Sequence, residues 1–140
     1  MKLAGAGVDL PPHPLLSRDE QEAALLYAAA TAGVQLAFLA AIRIAENGGP
    51  GKELGVLDPS ADTYEAQAAW CARSVRNNLF RFVTAHNGAW PMAGDRYSPA
   101  FIDAMAARWA PRGAANDPTD LNAHWADNVR RIYEATDVTP

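Results

Sequence analysis

From Val34 to Ala45 the chain is apolar except for Gln35 and Arg43, and Glu46, Asn47, Gly48, Gly49 and Pro50 follow at once. No other stretch restricts the fold as much. Val34, Leu36, Phe38, Leu39, Ile42 and Ile44 leave no wide polar face, so a helix over residues 34–46 must be surrounded by other elements. It falls short of the ~20 apolar residues that a bilayer span requires. Gly48, Gly49, Pro50 and Gly51 then stop it, because glycine supplies left-handed cap geometry and proline cannot continue the ladder.

Elements able to enclose this helix are readable on both sides of it. "SRDE" at Ser17–Glu20 has the S-x-x-E form of a capping box and predicts a helix from Arg18 to about Thr31, with Leu25 and Leu26 on its inner face and Gly33 as its breaker. Residues 47–62 read as a loop with one short apolar piece, Leu54–Leu57, expected to be extended. A third helix, capped by Asp62 or Thr63, reaches about Val83 and buries Ala68, Cys71, Ala72, Val75, Leu79 and Phe82. A loop with His86, Asn87, Gly88, Trp90 and Pro91 follows. Ser98-Pro99 opens a fourth helix with Phe101, Ile102, Met105 and Trp109 on one face. The last helix runs from about Asp120 to Ala135 and buries Leu121, Trp125, Val129 and Ile132. The Gly- and Pro-rich residues 1–16 read as an extended or flexible arm, dispensable together with the last few residues. The expected architecture is all-α: one domain over residues 17–140, with five helices wrapped around the second. A length of 140 residues, 49% hydrophobic and 20% charged, suits one such core.

Several function classes drop out. A net charge of −4, with no basic cluster beyond Arg130–Arg131, argues against nucleic acid or an anionic membrane as partner. Cys71 is the lone cysteine, which excludes an internal disulfide and a cysteine-rich zinc site; its alanine-rich surroundings make it a small buried hydrophobe. His13, His86 and His124 have no ligand spacing, so neither a metal nor another cofactor is expected. "GGPGK" follows a helix and lacks phosphate-loop spacing, and Ser74 and Ser98 have no visible histidine partner. The N-terminal residues have no apolar h-region, so synthesis in a cytoplasm without a secretory signal is expected.

Glu46 stands where a helix disfavours a negative charge, since the C-terminal end carries partial negative charge of its own. The residues one and two turns back, Ile42, Leu39 and Phe38, would desolvate it. Both effects favour a carboxyl that keeps its proton near neutral pH, as required to protonate the leaving oxygen of a glycoside. The opposing reading is an ordinary helical glutamate paired with Arg43 three residues back, which would lower its pKa.

The segment "GVQLAFLAAIRIAENGG", Gly33 to Gly49, resembles the catalytic segment of the lysozyme-like superfamily, in particular lytic transglycosylases, goose-type lysozymes and related glucosaminidases. In that family a glycine precedes an aliphatic helix ending in A-I-x-x-x-E-S-G-G, whose glutamate is the catalytic acid. Gly33, Ala41, Ile42, Glu46, Gly48 and Gly49 match, and Asn47 replaces the usual serine. "ANDPTDLNAHWADNV", Ala115 to Val129, resembles a late segment of short phage and prophage proteins of transglycosylase or glucosaminidase type, with Trp125 closest to an aromatic residue facing the cleft. The resemblance spans roughly Ser17 to Thr136 and implies a lysozyme-like domain that cleaves the N-acetylglucosamine–N-acetylmuramic acid strands of peptidoglycan. It implies Glu46 as the acid, with the substrate's acetamido group or C6 hydroxyl as internal nucleophile; Glu53, Asp58 and Asp62 are the loop acids able to position a water instead. For sugar contacts the candidates are the aromatics Tyr64, Trp90, Tyr97 and Trp125 and the amides Asn47 and Asn116, while Trp70 and Trp109 are assigned to the core. The resemblance further implies a phage or prophage origin, action at the bacterial wall through lysis or virion delivery, and other virion or lysis proteins as partners. The alternative is a non-catalytic phage structural or glycan-binding domain on the same frame, with residues 1–16 as a docking tail.

Overall fold

The structure is a computed structural model and describes residues 9–109 and 124–136. Among them are helices α1 (Arg18–Ala32), α2 (Leu36–Glu46) and α3 (Tyr64–Ala85), strands β1 (Met92–Ala93) and β2 (Arg96–Tyr97), and helices α4 (Pro99–Trp109) and α5 (Trp125–Ala135). The fold of the described residues is all-α apart from this one small hairpin, and none of their helices is long and apolar enough to cross a membrane.

Each helix starts where its local chemistry allows. The capping box of α1 is complete: Glu20 N–H donates to Ser17 Oγ at 3.1 Å, and Ser17 N–H donates to Glu20 Oε1 at 2.9 Å. Gly33, at φ +73°, closes that helix in the left-handed conformation. Thr63, not Asp62, caps α3, accepting from Ala66 N–H at 3.0 Å. Ser98 accepts from Phe101 N–H at 3.3 Å at the start of α4. The expected start of the last helix near Asp120, and the burial of Leu121, lie outside the described residues.

The second helix is enclosed, as its sequence requires: every residue from Ala37 to Arg43 is buried. Helices α1, α3 and α5 all pack against it. The Phe38 ring meets Tyr97 edge-on at 5.2 Å and Tyr133 at 5.1 Å, with Phe101 of α4 at 6.0 Å. The hairpin lies in the stretch expected to be loop. Its pairs, Met92 with Tyr97 and Ala93 with Arg96, are too few for an alternating pattern to show in sequence. It is tied down by polar side chains: Gln35 N–H donates to Tyr97 Oη at 2.9 Å, Tyr97 N–H donates to Tyr133 Oη at 2.8 Å, and Tyr133 O–H donates to Gln35 Oε1.

Residues 9–16 form no helix, but they are no loose arm. Leu10 is buried, Gln21 Nε2 donates to the Pro11 carbonyl at 3.0 Å, and His13 Nε2 lies 2.9 Å from Glu53 Oε2 with both side chains almost sealed from solvent. The prolines that suggested a loose arm restrict the backbone of this strap, whose Pro11 and His13 find partners 10 and 40 positions away. The Leu54–Leu57 piece carries no strand; Leu54 and Val56 are buried and Leu57 is exposed.

Candidate active site

Glu46 is the last residue of α2, and Asn47 caps that helix at φ 45°, with its N–H on the Arg43 carbonyl at 3.0 Å. Asparagine tolerates this left-handed position better than most side chains. The chain then folds back tightly. A Cβ at Gly48 would lie 1.7 Å from the Lys52 carbonyl oxygen, so only glycine permits the turn. At Gly55, φ +77°, a Cβ would lie 2.4 Å from Glu46 Oε2, so the loop backbone passes directly against the carboxyl.

One buried amide holds that loop in place. Gln67 of α3 accepts from Leu54 N–H and Val56 N–H, both at 3.1 Å. Its Nε2 donates to the carbonyls of Gly51 at 2.8 Å, Val56 at 2.9 Å and Ala61 at 2.7 Å. Backbone groups that would otherwise be buried and unpaired are thereby satisfied.

The Glu46 carboxyl is half-buried, and among the described residues one oxygen gathers its hydrogen bonds: Trp125 Nε1 donates to Oε1 at 2.8 Å and Trp109 Nε1 donates to the same atom at 3.3 Å. The two indoles lie with ring centroids 6.4 Å apart. Desolvation raises the Glu46 pKa above its ordinary 4.5, while the Trp125 and Trp109 hydrogen bonds act in the lowering direction without cancelling the rise. Burial, and then the Glu46 charge, push the Cys71 thiol well up, which makes that cysteine inert.

Arg43 does not oppose this. Its guanidinium turns away into the core, with long contacts to Gln21 Oε1 at 3.4 Å and the carbonyls of Glu53 at 3.4 Å and Gly48 at 3.5 Å, and it lies 5.6 Å from the Tyr64 ring centroid. The expected pairing of Arg43 with Glu46 is therefore absent, and no ion pair to Glu46 occurs among the described residues. Buried in an apolar helix, the guanidinium needs several acceptors, and Gln21 of α1 and the loop after α2 supply them.

The other candidates separate. Trp125 is only 7% exposed and reaches Glu46 with its N–H. Trp109, assigned to the core by its helical spacing, is the second indole on that carboxyl; its position at the end of the α4 stripe was visible, but the direction of its N–H was not. Tyr64 is 3% exposed and offers no face to a sugar: its ring packs against His13 at 5.6 Å and its hydroxyl is buried without a hydrogen-bond partner. Burial pushes that phenol up to about 12, with the Arg43 charge opposing. Tyr97 is likewise core, ringed by Phe38, Phe101 and Tyr133. In both cases the aromatic surface is worth more to a small core than to solvent. Asn47 is exposed beside Glu46, Trp90 is 61% exposed in the loop before β1, and Asn116 lies outside the described residues. Of the loop acids, Glu53 is committed to His13 and to Gly51 N–H at 3.0 Å, Asp58 to the Ser60 N–H and hydroxyl, and Asp62 is exposed.

Chemically, the arrangement distinguishes the two oxygens of Glu46. An indole N–H only donates, so Oε1 is fixed as an acceptor. A proton on the carboxyl therefore resides on Oε2, the oxygen beside Gly55, in the region that any larger residue would fill. Comparison of the chain with protein-family models, with curated proteins and with solved structures returns no match.

Proposed function

We propose that this chain is a lysozyme-like glycosidase that cleaves the glycan strands of peptidoglycan, with Glu46 as general acid. The observation that carries the reading is the carboxyl at the end of α2, desolvated, without a cationic partner among the described residues, and held through one oxygen by two indole N–H groups. Such a group keeps a proton at a pH where a free carboxylate has lost it, and presents it from a fixed oxygen. The match of Gly33, Ala41, Ile42, Glu46, Gly48 and Gly49 to the lysozyme-like catalytic segment supports the same reading.

In the proposed reaction Oε2 delivers its proton to the glycosidic oxygen as the C1–O bond breaks. Glu53 and Asp58 are occupied elsewhere, which leaves Asp62 of the three loop acids and otherwise favours an internal nucleophile on the substrate over a second carboxylate. If the C6 hydroxyl closes on C1, its proton returns to Glu46 and a 1,6-anhydro end forms without water. If the acetamido oxygen attacks, water opens the resulting ring and a reducing end forms. Turbidity loss of purified sacculi tests the activity: the parent clears them and Glu46→Gln does not. Mass spectrometry of the digest separates the two product types. A parent that binds sacculi without clearing them under any pH from 4 to 8 would instead identify a glycan-binding domain.

A further inference from the structure

Helices α1 and α3 leave a groove of about 690 Å³ between them, floored by Ala24, Ala28, Ala66 and Ala69. Tyr27 stands on its rim with 77% of its surface exposed. An apolar trough with an unpartnered aromatic ring at its edge is a surface that gains from being covered. The groove shares no residue with the contacts of Glu46.

Its charges have a direction. Arg43 contacts Gln21 near the start of α1 and the Tyr64 ring at the start of α3, so both helices begin at the same end of the groove. Glu20 and Glu65 line that end. Arg73 and Arg76 line the groove two to three turns further along α3, about 12–17 Å from Glu65 by the rise of a helix. All four are exposed, and none forms an ion pair among the described residues. One long trough thus carries an acid pair at its start and an arginine pair beyond it.

We propose that the occupant is the same face of a second copy of this chain, packed across a two-fold axis with the two grooves antiparallel. In that arrangement Glu20 and Glu65 of each copy meet Arg73 and Arg76 of the other, and each Tyr27 ring covers alanines of the opposite trough. A two-fold interface must carry both halves of every contact on one patch. This patch does: acid pair with arginine pair, exposed ring with small-residue floor. An unrelated partner would call for only one half of each. A parallel placement would set like charges against each other, so charge selects the antiparallel register. The alanines let the two helix pairs approach closely. Nothing in this inference depends on what Glu46 does.

The test is sedimentation velocity of the full chain over a concentration series, with circular dichroism as the check of folding. The parent should pass from monomer mass to twice that mass. Tyr27→Ser, at a position too exposed to matter to the core, should weaken association about 30-fold, as the loss of an aromatic anchor does. Arg73→Glu/Arg76→Glu and Glu20→Lys/Glu65→Lys should each stay monomeric alone, because each sets like charges at both junctions. Mixed in equal amounts they should dimerise, since both junctions then pair opposite charges. A folding defect in either variant would not be repaired by mixing. A parent of monomer mass into the millimolar range overturns the proposal and leaves the groove to a helix of another protein. A dimer that survives both reversals, or folded reversed variants that stay monomeric when mixed, also overturns it. Every readout is independent of cleavage, so the role of Glu46 stands or falls separately.

Discussion

Gly55→Ala tests the geometry of the site with a single methyl group. Two effects add. Alanine at φ +77° carries a left-handed penalty of ~1–2 kcal/mol. The new Cβ would also lie 2.4 Å from Glu46 Oε2 and 2.5 Å from its Cδ, so the carboxyl must retreat by about 1 Å to reach ordinary contact distance. The side chain is flexible enough to move, but moving draws Oε1 off Trp125, and a hydrogen bond to an uncharged carboxyl is worth ~0.5–1.5 kcal/mol. The expected total is about 3 kcal/mol, or about 10 °C in Tm for a domain of this size. Displacing a reacting group by that distance should lower the rate of wall cleavage by about 10²-fold. Gly88→Ala isolates the backbone effect, because Gly88 shares the left-handed conformation, φ +86°, but has nothing within 4 Å of a new Cβ. It should cost ~1–2 kcal/mol and leave cleavage unchanged. Thermal melts, sacculus clearing and the indole N–H region of a proton–nitrogen NMR spectrum report the three quantities. A Gly55→Ala protein that cleaves like the parent, with both indole resonances unmoved, would refute the placement of Glu46 against this loop.

Three further outcomes follow from the same contacts. Trp125→Phe keeps the ring but removes the donor that lowers the Glu46 pKa, so the alkaline limb of the cleavage profile should move to higher pH; carboxyl-carbon NMR titration of Glu46 checks the direction. Because the folded Glu46 pKa lies above the ordinary 4.5, the folded state binds its proton more tightly than the unfolded chain does. This contribution to stability is fully present below pH 4.5 and is lost as the pH rises through the folded value. Glu46→Gln should abolish that loss and, by urea melts, be at least as stable as the parent at pH 8 while failing to cleave walls. Gln67→Leu strands Leu54 N–H, Val56 N–H and three carbonyls, and should destabilise the fold by ~3–5 kcal/mol in denaturant melts; a change under about 1 kcal/mol would show that the loop does not depend on this clamp.

What was legible in the sequence was what local chemistry and periodicity encode. The Ser17–Glu20 box, the Gly33 stop, the enclosure of an all-round apolar helix and the firm end at Gly48–Pro50 each follow from a few adjacent residues. The unusual position of Glu46 was visible for the same reason. What stayed hidden depends on partners distant in the chain. Arg43 could be assigned to Glu46 by spacing, yet its acceptors come from Gln21 and from the loop after Gly48. Trp109 fitted a core stripe by its helical register, and no periodicity tells which way an indole N–H points. Tyr64 and Tyr97 satisfied the composition of a sugar site, but each lies where the core needed a ring. Residues 9–16 have the composition of a loose arm, and their anchoring shows only in contacts distant in the chain, above all His13–Glu53, 40 positions apart.

These hidden contacts explain why a carboxyl can persist at a place that repels it. The C-terminal turn of α2 disfavours negative charge, and the desolvating walls disfavour it further. An arginine nearby would have relieved the strain at the cost of the acid's proton. The fold instead draws Arg43 the other way, into a nest formed by Gln21 of α1, the loop and Tyr64. It gives Glu46 two neutral donors on one oxygen, which stabilise the group in either charge state without fixing it as the anion. Neutral donors hold position only if their own supports are rigid, and here Trp125 is buried at the start of α5 while the opposing loop is clamped by Gln67. Position is thus secured by packing rather than by counter-charge. That is the condition under which a carboxyl can remain fixed in place and still give up a proton.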